Sequence, residues 1–326
     1  MRFLVTGATG KVGQTFIARA LAHPPFAQAR ITALCHNRSV APHERVDVVR
    51  GSIADNAVLA RALEGVTHVF HLATVKEDPA LVVDITIKGL FLLLEAARIS
   101  KTLRQLVLVG GDAAVGHCFV DYPEPVTELS PRRAYPGVYA FSKVIEEEMV
   151  EQYRHQYGLN GTILRAPWIM EKDDFRHALA FGPGQFGGPL WDELIPPQDN
   201  LRYAEENRAP LLLDINNRPL KRNFVHVDDL VEAMIKVVDN DAARSQLFNI
   251  AMTDPVDYGE VADILRAARG MQPVEIKSTF YSNALSNAKA RALLGWQPKY
   301  DLKALIEAAF TYKRAADDPR KIWYVG

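Results

Sequence analysis

Short apolar segments alternate with longer amphipathic segments along the first half of this chain. The apolar segments predict strands at residues 3–6, 31–34, 46–50, 68–72, 106–109 and 161–164. Apolar positions that recur at helical spacing predict helices at residues 14–22, 56–63, 87–99 and 139–157. Strands that alternate with helices in this way predict an α/β fold, a doubly wound parallel sheet with helices on both faces.

The pattern changes between residues 166 and 222, where glycine and proline interrupt every longer element. These residues are Gly182, Pro183, Gly184, Gly187, Gly188, Pro189, Pro196, Pro197 and Pro210. We therefore expect a loop-rich cap in this segment. Regular patterns then return and predict strands at residues 223–227 and 248–251 and helices at residues 228–238, 257–269 and 283–294.

One predicted helix, at residues 87–99, carries its apolar residues on a single face. Leu90, Leu93, Leu94 and Ala97 recur there at helical spacing. A face of this kind packs either against the core of its own chain or against a partner. The sequence leaves both interpretations open.

Composition and charge exclude several classes of protein. The chain has 326 residues, of which 48% are hydrophobic, and a formal net charge of -1, so neither a nucleic acid nor an anionic membrane is an expected partner. No apolar run approaches the ~20 residues of a membrane span, and the first predicted strand leaves no room for a signal peptide. We expect a cytoplasmic protein. Cys35 and Cys118 lack the spacing of metal ligands, and we expect no metal site.

Three glycines spaced three apart follow the first predicted strand. Gly7, Gly10 and Gly13 lie between that strand and a predicted helix, and a second strand follows the helix. Glycines remove the Cβ atoms that would block a pyrophosphate, and the start of the helix offers unpaired N–H groups to it. A tight turn also needs glycine, but the strand-helix-strand context favours a dinucleotide site. The candidate cofactor-binding residues here are Gly7, Thr9, Gly10, Lys11, Val12 and Gly13.

Tyr139 and Lys143 stand four residues apart on a predicted helix, so their side chains share one face. A phenol, with a usual pKa near ~10, exchanges protons poorly at neutral pH, and a neighbouring ammonium group favours the phenolate. A surface tyrosine and lysine on an amphipathic helix explain the pair equally well in isolation. The preceding dinucleotide loop favours a catalytic pair.

Five segments in this order resemble the extended branch of the short-chain dehydrogenase/reductase superfamily, the NAD(P)-dependent epimerase/dehydratase family. They are the glycine loop at residues 6–13, residues 71–74, the pair Tyr139 and Lys143, residues 222–229 and residues 294–298. The resemblance implies a Rossmann-type sheet with a smaller, loop-rich C-terminal substrate lobe. It implies a dinucleotide-binding domain at residues 1–165, completed by residues 223–251, and a substrate-binding lobe at residues 166–222 and 252–326.

The resemblance also implies the chemistry. Tyr139 would be the general acid or base at a substrate hydroxyl or carbonyl, and Lys143 would hold the nicotinamide ribose and lower the pKa of the tyrosine. Leu72, Ala73 and Thr74 would pass beneath the cofactor. The reaction would be an oxidation, reduction or epimerisation by hydride transfer. A non-catalytic sensor that binds NAD(P) on the same fold is the alternative.

The chain departs from the family where a serine or threonine normally bonds the reacting oxygen. Depending on a one-residue offset, Gly111 or Asp112 occupies that position, and neither has a hydroxyl. Asp112 could accept a hydrogen bond from the substrate or act as a second acid or base, or it could simply cap a turn. Thr74 could instead supply the hydroxyl.

The end of the second predicted strand bears on cofactor choice. NAD-selective enzymes usually place a carboxylate there, whereas this chain has Arg38 nearby and Lys11 in the glycine loop as a second cation. These residues favour NADP slightly over NAD. Ser52 stands where the family commonly has an acid that contacts the adenine, and Ser52 and Ile53 are expected at that end of the cofactor.

The substrate region is less typical of the family. Trp168 offers a flat face to a sugar, although a tryptophan of the core would explain it equally well. Arg222 stands where relatives often bind a substrate phosphate, although a solvated surface arginine is the alternative. The expected substrate is a sugar, a sugar acid or a nucleotide sugar. The helices at residues 87–99 and 139–157 are expected to form a homodimer interface, as in relatives.

Overall fold

A parallel sheet of seven strands lies at the centre of the computed structural model, which describes residues 1–316 and residue 318. The strands of the protein are β1 (Arg2–Thr6), β2 (Arg30–Cys35), β3 (Val46–Arg50), β4 (His68–His71), β5 (Gln105–Gly111), β6 (Gly161–Ala166), β7 (Trp168–Met170), β8 (Ala209–Leu213), β9 (Lys221–Arg222), β10 (Phe224–His226), β11 (Leu247–Asn249), β12 (Val256–Asp257) and β13 (Pro273–Lys277). In the central sheet the order is β11-β6-β5-β4-β1-β2-β3. This confirms the doubly wound parallel α/β fold.

Helices cover both faces of this sheet. They are α1 (Lys11–Ala22), α2 (Asn56–Ala62), α3 (Pro79–Leu81), α4 (Lys88–Ile99), α5 (Val138–Tyr157), α6 (Asp174–Ala178), α7 (Pro197–Glu205), α8 (Val227–Lys236), α9 (Tyr258–Arg269), α10 (Ala288–Leu294) and α11 (Leu302–Thr311). A π-helical segment, Val82–Ile87, joins α3 to α4. Among the described residues, none of the helices combines the length and the apolar character that a membrane crossing requires.

Two apolar cores lie on opposite faces of the sheet. Phe16 of α1 and Leu230 of α8 belong to one core, whereas Leu59 of α2 and Leu93 of α4 belong to the other. The apolar face of α4 is therefore part of the protein's own core: Leu90, Leu93 and Leu94 are fully buried and Ala97 is nearly so. This resolves the question that the sequence left open for that face.

The order in which the strands are added reverses at the centre of the sheet. From β1 the chain crosses to β2 and β3 on one side, and it then returns to place β4, β5 and β6 on the other side. Ligands of open α/β sheets bind beside the carboxyl ends of the strands at such a reversal. The glycine loop after β1 and residues 72–74 after β4 meet at this point.

The segment at residues 166–222 is more regular than its glycines and prolines predict. It contains β7, β8, β9, α6 and α7, and its strands pair with β10, β13 and β12. Phe175, Trp191, Phe224 and Tyr258 are buried in the core of this lobe. Short strands of this kind form only through partners distant in sequence, which explains why local patterns miss them. The assignment of the whole lobe to substrate binding stays a prediction.

The predicted helix at residues 283–294 is wrong in its first part, because only Ala288–Leu294 is helical. The side chains before it make tertiary hydrogen bonds instead. Asn283 accepts from Asn223 Nδ2 at 2.9 Å and donates to the His117 carbonyl at 2.5 Å, and Asn287 donates to the Ala251 carbonyl at 2.9 Å. Asparagine commonly exchanges helical bonds for such contacts.

Candidate active site

The glycine loop closes tightly against the segment that follows β4. Gly7 has a φ of +65°, and a Cβ atom there would lie 2.8 Å from the carbonyl carbon of Leu72, while one on Gly13 would lie 2.5 Å from the Gly7 oxygen. Gly10 precedes α1 and gives it no side-chain cap. The first N–H groups of α1 are thus without a side-chain partner from Gly10, and the loop fits the pyrophosphate of a dinucleotide.

Thr6, the last residue of β1, joins this loop to β4. Its Oγ1 accepts from Leu72 N at 3.1 Å and Ala73 N at 3.2 Å, so its own proton goes to His71 Nδ1 at 2.9 Å. Burial, with a smaller effect of the Lys143 charge, lowers the pKa of His71 to about 3 and keeps the imidazole neutral. Both residues lie in segments that carry the family resemblance, residues 6–13 and 71–74, but the sequence did not predict the hydrogen bond between them.

Tyr139 and Lys143 meet the segment after β4 at the carboxyl end of the sheet. Lys143, only 2% exposed, donates to Thr74 Oγ1 at 3.0 Å and to Glu146 Oε2 at 2.7 Å. Its Nζ lies 5.2 Å from the centroid of the Tyr139 ring. Tyr139, Lys143 and Thr74 line one cleft together with the glycine loop. The structure therefore brings the candidate pair to the candidate cofactor site.

Two residues near this pair escaped the sequence analysis. Glu146 is 1% exposed, and burial raises the pKa of its carboxyl group whereas Lys143 acts in the opposite direction. Its Oε1 has no hydrogen-bond partner among the described residues. Lys76 lines the cleft, with its Nζ 3.9 Å from the centroid of the Tyr139 ring. Neither belongs to a motif, so only the folded chain could reveal them.

Gly111 faces the tyrosine. A Cβ atom on this residue would lie 3.6 Å from Tyr139 Oη and 3.8 Å from Lys143 Cδ. Asp112 begins the next turn, a 3₁₀ helix at Asp112–Val115, and it also lines the cleft. Its Oδ2 accepts from His117 Nδ1 at 2.5 Å. Of the two residues, Gly111 is the one whose missing side chain would point to Tyr139.

Arg222 is held firmly in the opposite wall of the cleft. Its Nε donates to His117 Nε2 at 2.8 Å, its Nη1 donates to the Gly188 carbonyl at 2.8 Å, and its guanidinium stacks 4.2 Å from the Trp168 ring centre. Because Nε2 of His117 accepts from Arg222, Nδ1 carries the hydrogen that it donates to Asp112 Oδ2. Asp112, His117 and Arg222 therefore form one chain of hydrogen bonds beside Trp168. His117 was not singled out from the sequence.

Most of the remaining candidates line the cleft, and two lie outside it. Arg38 is among the lining residues. Lys11 Nζ donates to the Ile169 carbonyl at 3.1 Å and forms an ion pair with Asp174, so it links α1 to the cap. Ser52 and Ile53 do not line this cleft. Val12, Leu72 and Ala73 do.

Clusters of at least three metal-binding side chains are absent from residues 1–316 and residue 318. The charged or proton-exchanging groups that line the cleft include the phenol of Tyr139, the ammonium groups of Lys76 and Lys143, and the chain from Asp112 to Arg222.

Known proteins resemble the chain over most of its length. UDP-glucuronate 4-epimerase 3 of Arabidopsis thaliana is 25% identical, covering 92% of this chain and 73% of the relative. UDP-glucose 4-epimerase of Lacticaseibacillus casei is 27% identical, covering 96% of each chain. A short-chain dehydrogenase/reductase superfamily protein of Agrobacterium tumefaciens, solved with bound NAD, has a TM-score of 0.79 at 22% identity, covering 95% of this chain and 96% of its own.

The sequence pattern of the NAD dependent epimerase/dehydratase family matches residues 3–251, about three quarters of the chain. The match runs from β1 through β11 and thus includes every strand of the central sheet. It also includes the glycine loop, Tyr139 and Lys143. The chain belongs to the NAD-dependent epimerase/dehydratase family of enzymes.

Proposed function

We propose that this enzyme transfers hydride at a carbinol or carbonyl carbon of a sugar, a sugar acid or a nucleotide sugar, with Tyr139 as the acid or base. The convergence of Tyr139, Lys143 and Thr74 beside the glycine loop carries the proposal. Relatives described as UDP-glucuronate and UDP-glucose 4-epimerases support a carbohydrate substrate.

The glycine loop and residues 72–74 would hold the dinucleotide, and Lys143 would contact its ribose. When bound, the nicotinamide accepts or returns the hydride. Tyr139 Oη would take the proton of a substrate hydroxyl or return it to a carbonyl oxygen. Thr74 Oγ1 accepts from Lys143 Nζ at 3.0 Å and lies in the wall of the same cleft.

Turnover in the presence of a panel of sugars, sugar acids and nucleotide sugars tests the proposal. We expect a change in reduced-nicotinamide absorbance with one substrate class, or conversion to the epimer with a tightly held cofactor. Tyr139→Phe should lower kcat at least ~100-fold, the usual contribution of a general acid or base. Tyr157→Phe is the matched control, because Tyr157 ends the same helix and is 51% exposed.

Two outcomes would contradict the proposal. If Tyr139→Phe retains normal turnover, the phenol is not the acid or base. If the protein binds NAD or NADP and converts no member of the panel, the sensor alternative is favoured. Cofactor that remains bound through purification would indicate an epimerase, and cofactor that exchanges freely would indicate a dehydrogenase.

We also propose a preference for NADP over NAD, carried by Arg38. This arginine lines the cleft, and no carboxylate stands at the end of β2, where residues 34–38 read Leu-Cys-His-Asn-Arg. Lys11 contributes less to this preference, since Asp174 and the Ile169 carbonyl bind its ammonium group. Arg38→Ala should lower the ratio of kcat/KM for NADP to that for NAD about tenfold. A wild-type enzyme that strongly prefers NAD would contradict this proposal.

A further inference from the structure

The ammonium group of Lys11 joins the glycine loop to the cap at residues 166–222. Lys11 is the first residue of α1 and directly follows Gly10 of the loop. Its Nζ donates to the carbonyl of Ile169 in β7 at 3.1 Å and to the carboxylate of Asp174, the first residue of α6. The side chain of Lys11 therefore crosses from the nucleotide-binding side of the cleft to the cap.

The ion pair in this connection is shielded from solvent. The side chains of Lys11 and Asp174 are 13% and 7% exposed. Salt screens a pair at such burial only weakly, and the loss of one partner leaves the other charge unpaired. The glycine loop and the cap therefore cannot separate at this point without breaking the pair as a unit.

The turn that carries Asp174 is itself held in place from the other side. Lys172 Nζ donates to Asp318 Oδ2 at 2.7 Å, and Asp173 forms an ion pair with Arg314. Three consecutive residues of the cap thus bind charged partners outside it, and α6 packs against α11. The carboxylate of Asp174 is consequently a fixed anchor for the ammonium group.

This connection lies at the boundary between two cavities. Lys11 lines both the cofactor cleft and a neighbouring cavity of about 650 Å3, whereas Asp174 lines only the neighbouring cavity. A dinucleotide held by the glycine loop would therefore lie beside Lys11, and Asp174 would stand outside the cleft that holds it. Asp174 can influence the cofactor only through Lys11.

We propose that the ion pair of Lys11 and Asp174 is a clasp that slows the release of the dinucleotide, with Asp174 as a positioning residue. The inference rests on the proposed binding of the cofactor by the glycine loop. An enzyme that removes a hydride from a carbon and returns it to the same carbon needs the same cofactor in both steps. A clasp of this kind therefore favours an epimerase over a dehydrogenase.

Stopped-flow fluorescence measures the release directly. The protein is loaded with NADPH or NADH and mixed with an excess of the oxidised form, and the change in nicotinamide fluorescence gives the rate constant of release. Asp174→Asn should raise this rate constant about tenfold, because the amide keeps the shape of the side chain and loses the ion pair. Lys11→Met should raise it at least as much, and the combined variant should release no faster than Lys11→Met alone.

Glu232→Gln is the matched control, because Glu232 pairs with Arg19 of the same helix α1 at 3.0 Å and neither residue lines the cleft. The combined variant leaves no unpaired charge, so it tests the clasp even if one single substitution prevents folding. It should also release the cofactor about tenfold faster than the wild type.

Several outcomes would overturn the clasp. Slower release in Asp174→Asn would mean that Asp174 restrains a lysine that otherwise binds the cofactor phosphates. A rate constant equal to that of Glu232→Gln, or effects of the two substitutions that simply multiply, would show that the pair does not act on release. The measurement needs no substrate, so it is readable even if hydride transfer to a sugar fails. A protein that binds neither dinucleotide would overturn the proposed function together with the clasp.

Discussion

Gly111 is one of the two residues, with Asp112, that the family resemblance places where a serine or threonine is usual. A Cβ atom on Gly111 would be in ordinary contact with Tyr139 Oη at 3.6 Å and the Ala166 oxygen at 3.7 Å, so a small side chain fits. We expect Gly111→Ser to fold normally and to raise kcat about tenfold, by adding a hydroxyl that hydrogen-bonds the reacting oxygen. Gly111→Ala is the control for side-chain volume.

Steady-state kinetics with the two variants distinguish the hydroxyl from the added volume. If serine and alanine change kcat equally, the missing hydroxyl does not limit this enzyme. Asp112 holds His117 Nδ1 through its Oδ2, and its Oδ1 is the carboxylate oxygen that could accept from a substrate hydroxyl.

His71 makes the stability of the protein depend on pH. The pKa of His71 falls from the usual 6.5 to about 3 because the imidazole is buried. Between these two pH values, the imidazole is therefore protonated in the unfolded chain and neutral in the folded protein. The stability contributed by the neutral ring is complete above pH 6.5 and is lost as the pH falls toward 3. We expect His71→Asn, which keeps an acceptor for Thr6, to reduce the loss of stability between pH 7 and 5 by about 2 kcal/mol.

Urea denaturation of the wild type and His71→Asn at several pH values measures this difference. A wild-type curve and a variant curve that run parallel from pH 7 to 5 would show that His71 does not carry the linkage. His23, a partly exposed histidine at the end of α1, serves as the control when it is replaced by asparagine.

At the scale of elements, the start of α5 depends on a residue from another segment. Gly137 provides no side-chain cap, and Glu77 Oε2 instead accepts from Val138 N at 3.0 Å and Tyr139 N at 3.4 Å. A carboxylate at a helix N-terminus is stabilising, and here it also fixes the turn that carries Tyr139. We expect Glu77→Ala to lower the free energy of unfolding by about 1 kcal/mol and to reduce kcat.

Urea denaturation and steady-state kinetics test this cap, with Glu64→Ala as a control at an exposed position after α2. Glu77→Gln, which keeps an oxygen acceptor, should lie between the wild type and the alanine variant. If Glu77→Ala matches Glu64→Ala in both measurements, the contact contributes nothing to the helix.

The strands and helices that have a clear apolar periodicity in the sequence were predictable. Within residues 1–165, the predicted strands and helices agree with the structure to within a few residues. Apolar periodicity there coincides with burial on both faces of the sheet. The cap was not predictable, since β7, β8 and β9 exist only through pairing with β10, β13 and β12. The same reason explains residues 283–287, whose asparagines bond to distant backbone.

At the scale of the whole molecule, exposed apolar residues on α4 and α5 remain to be explained. Phe91 is 47% exposed and Phe141 is 55% exposed, on helices that pack beside each other. We predict a homodimer that buries this surface. We expect each phenylalanine to contribute about 2 kcal/mol to association, which corresponds to about a 30-fold change in Kd. Replacing both with glutamate should therefore raise the Kd of the dimer by at least about 30-fold for each residue.

Sedimentation at micromolar concentration measures the oligomeric state. The wild type should sediment as a dimer and the double variant as a monomer with an unchanged circular dichroism spectrum. A monomeric wild type at this concentration would contradict the prediction. Leu129→Glu is the control, because Leu129 is 95% exposed and lies outside both helices.

The amino-acid sequence by itself determined the order of strands and helices in residues 1–165 and the position of the glycine loop. It also determined the spacing that puts Tyr139 and Lys143 on one helical face. These features depend on residues close together in the chain, so local periodicity and backbone geometry are sufficient to express them. The family resemblance also depends on them.

Only the tertiary structure decided which residues surround that pair. Lys76, Glu146, Gly111 and the chain from Asp112 to Arg222 come together because parallel strands end at one edge of the sheet and the cap closes over it. Their charges act through space over a few ångströms, and sequence separation carries no information about such distances. The charge around Tyr139 is consequently a property of the fold.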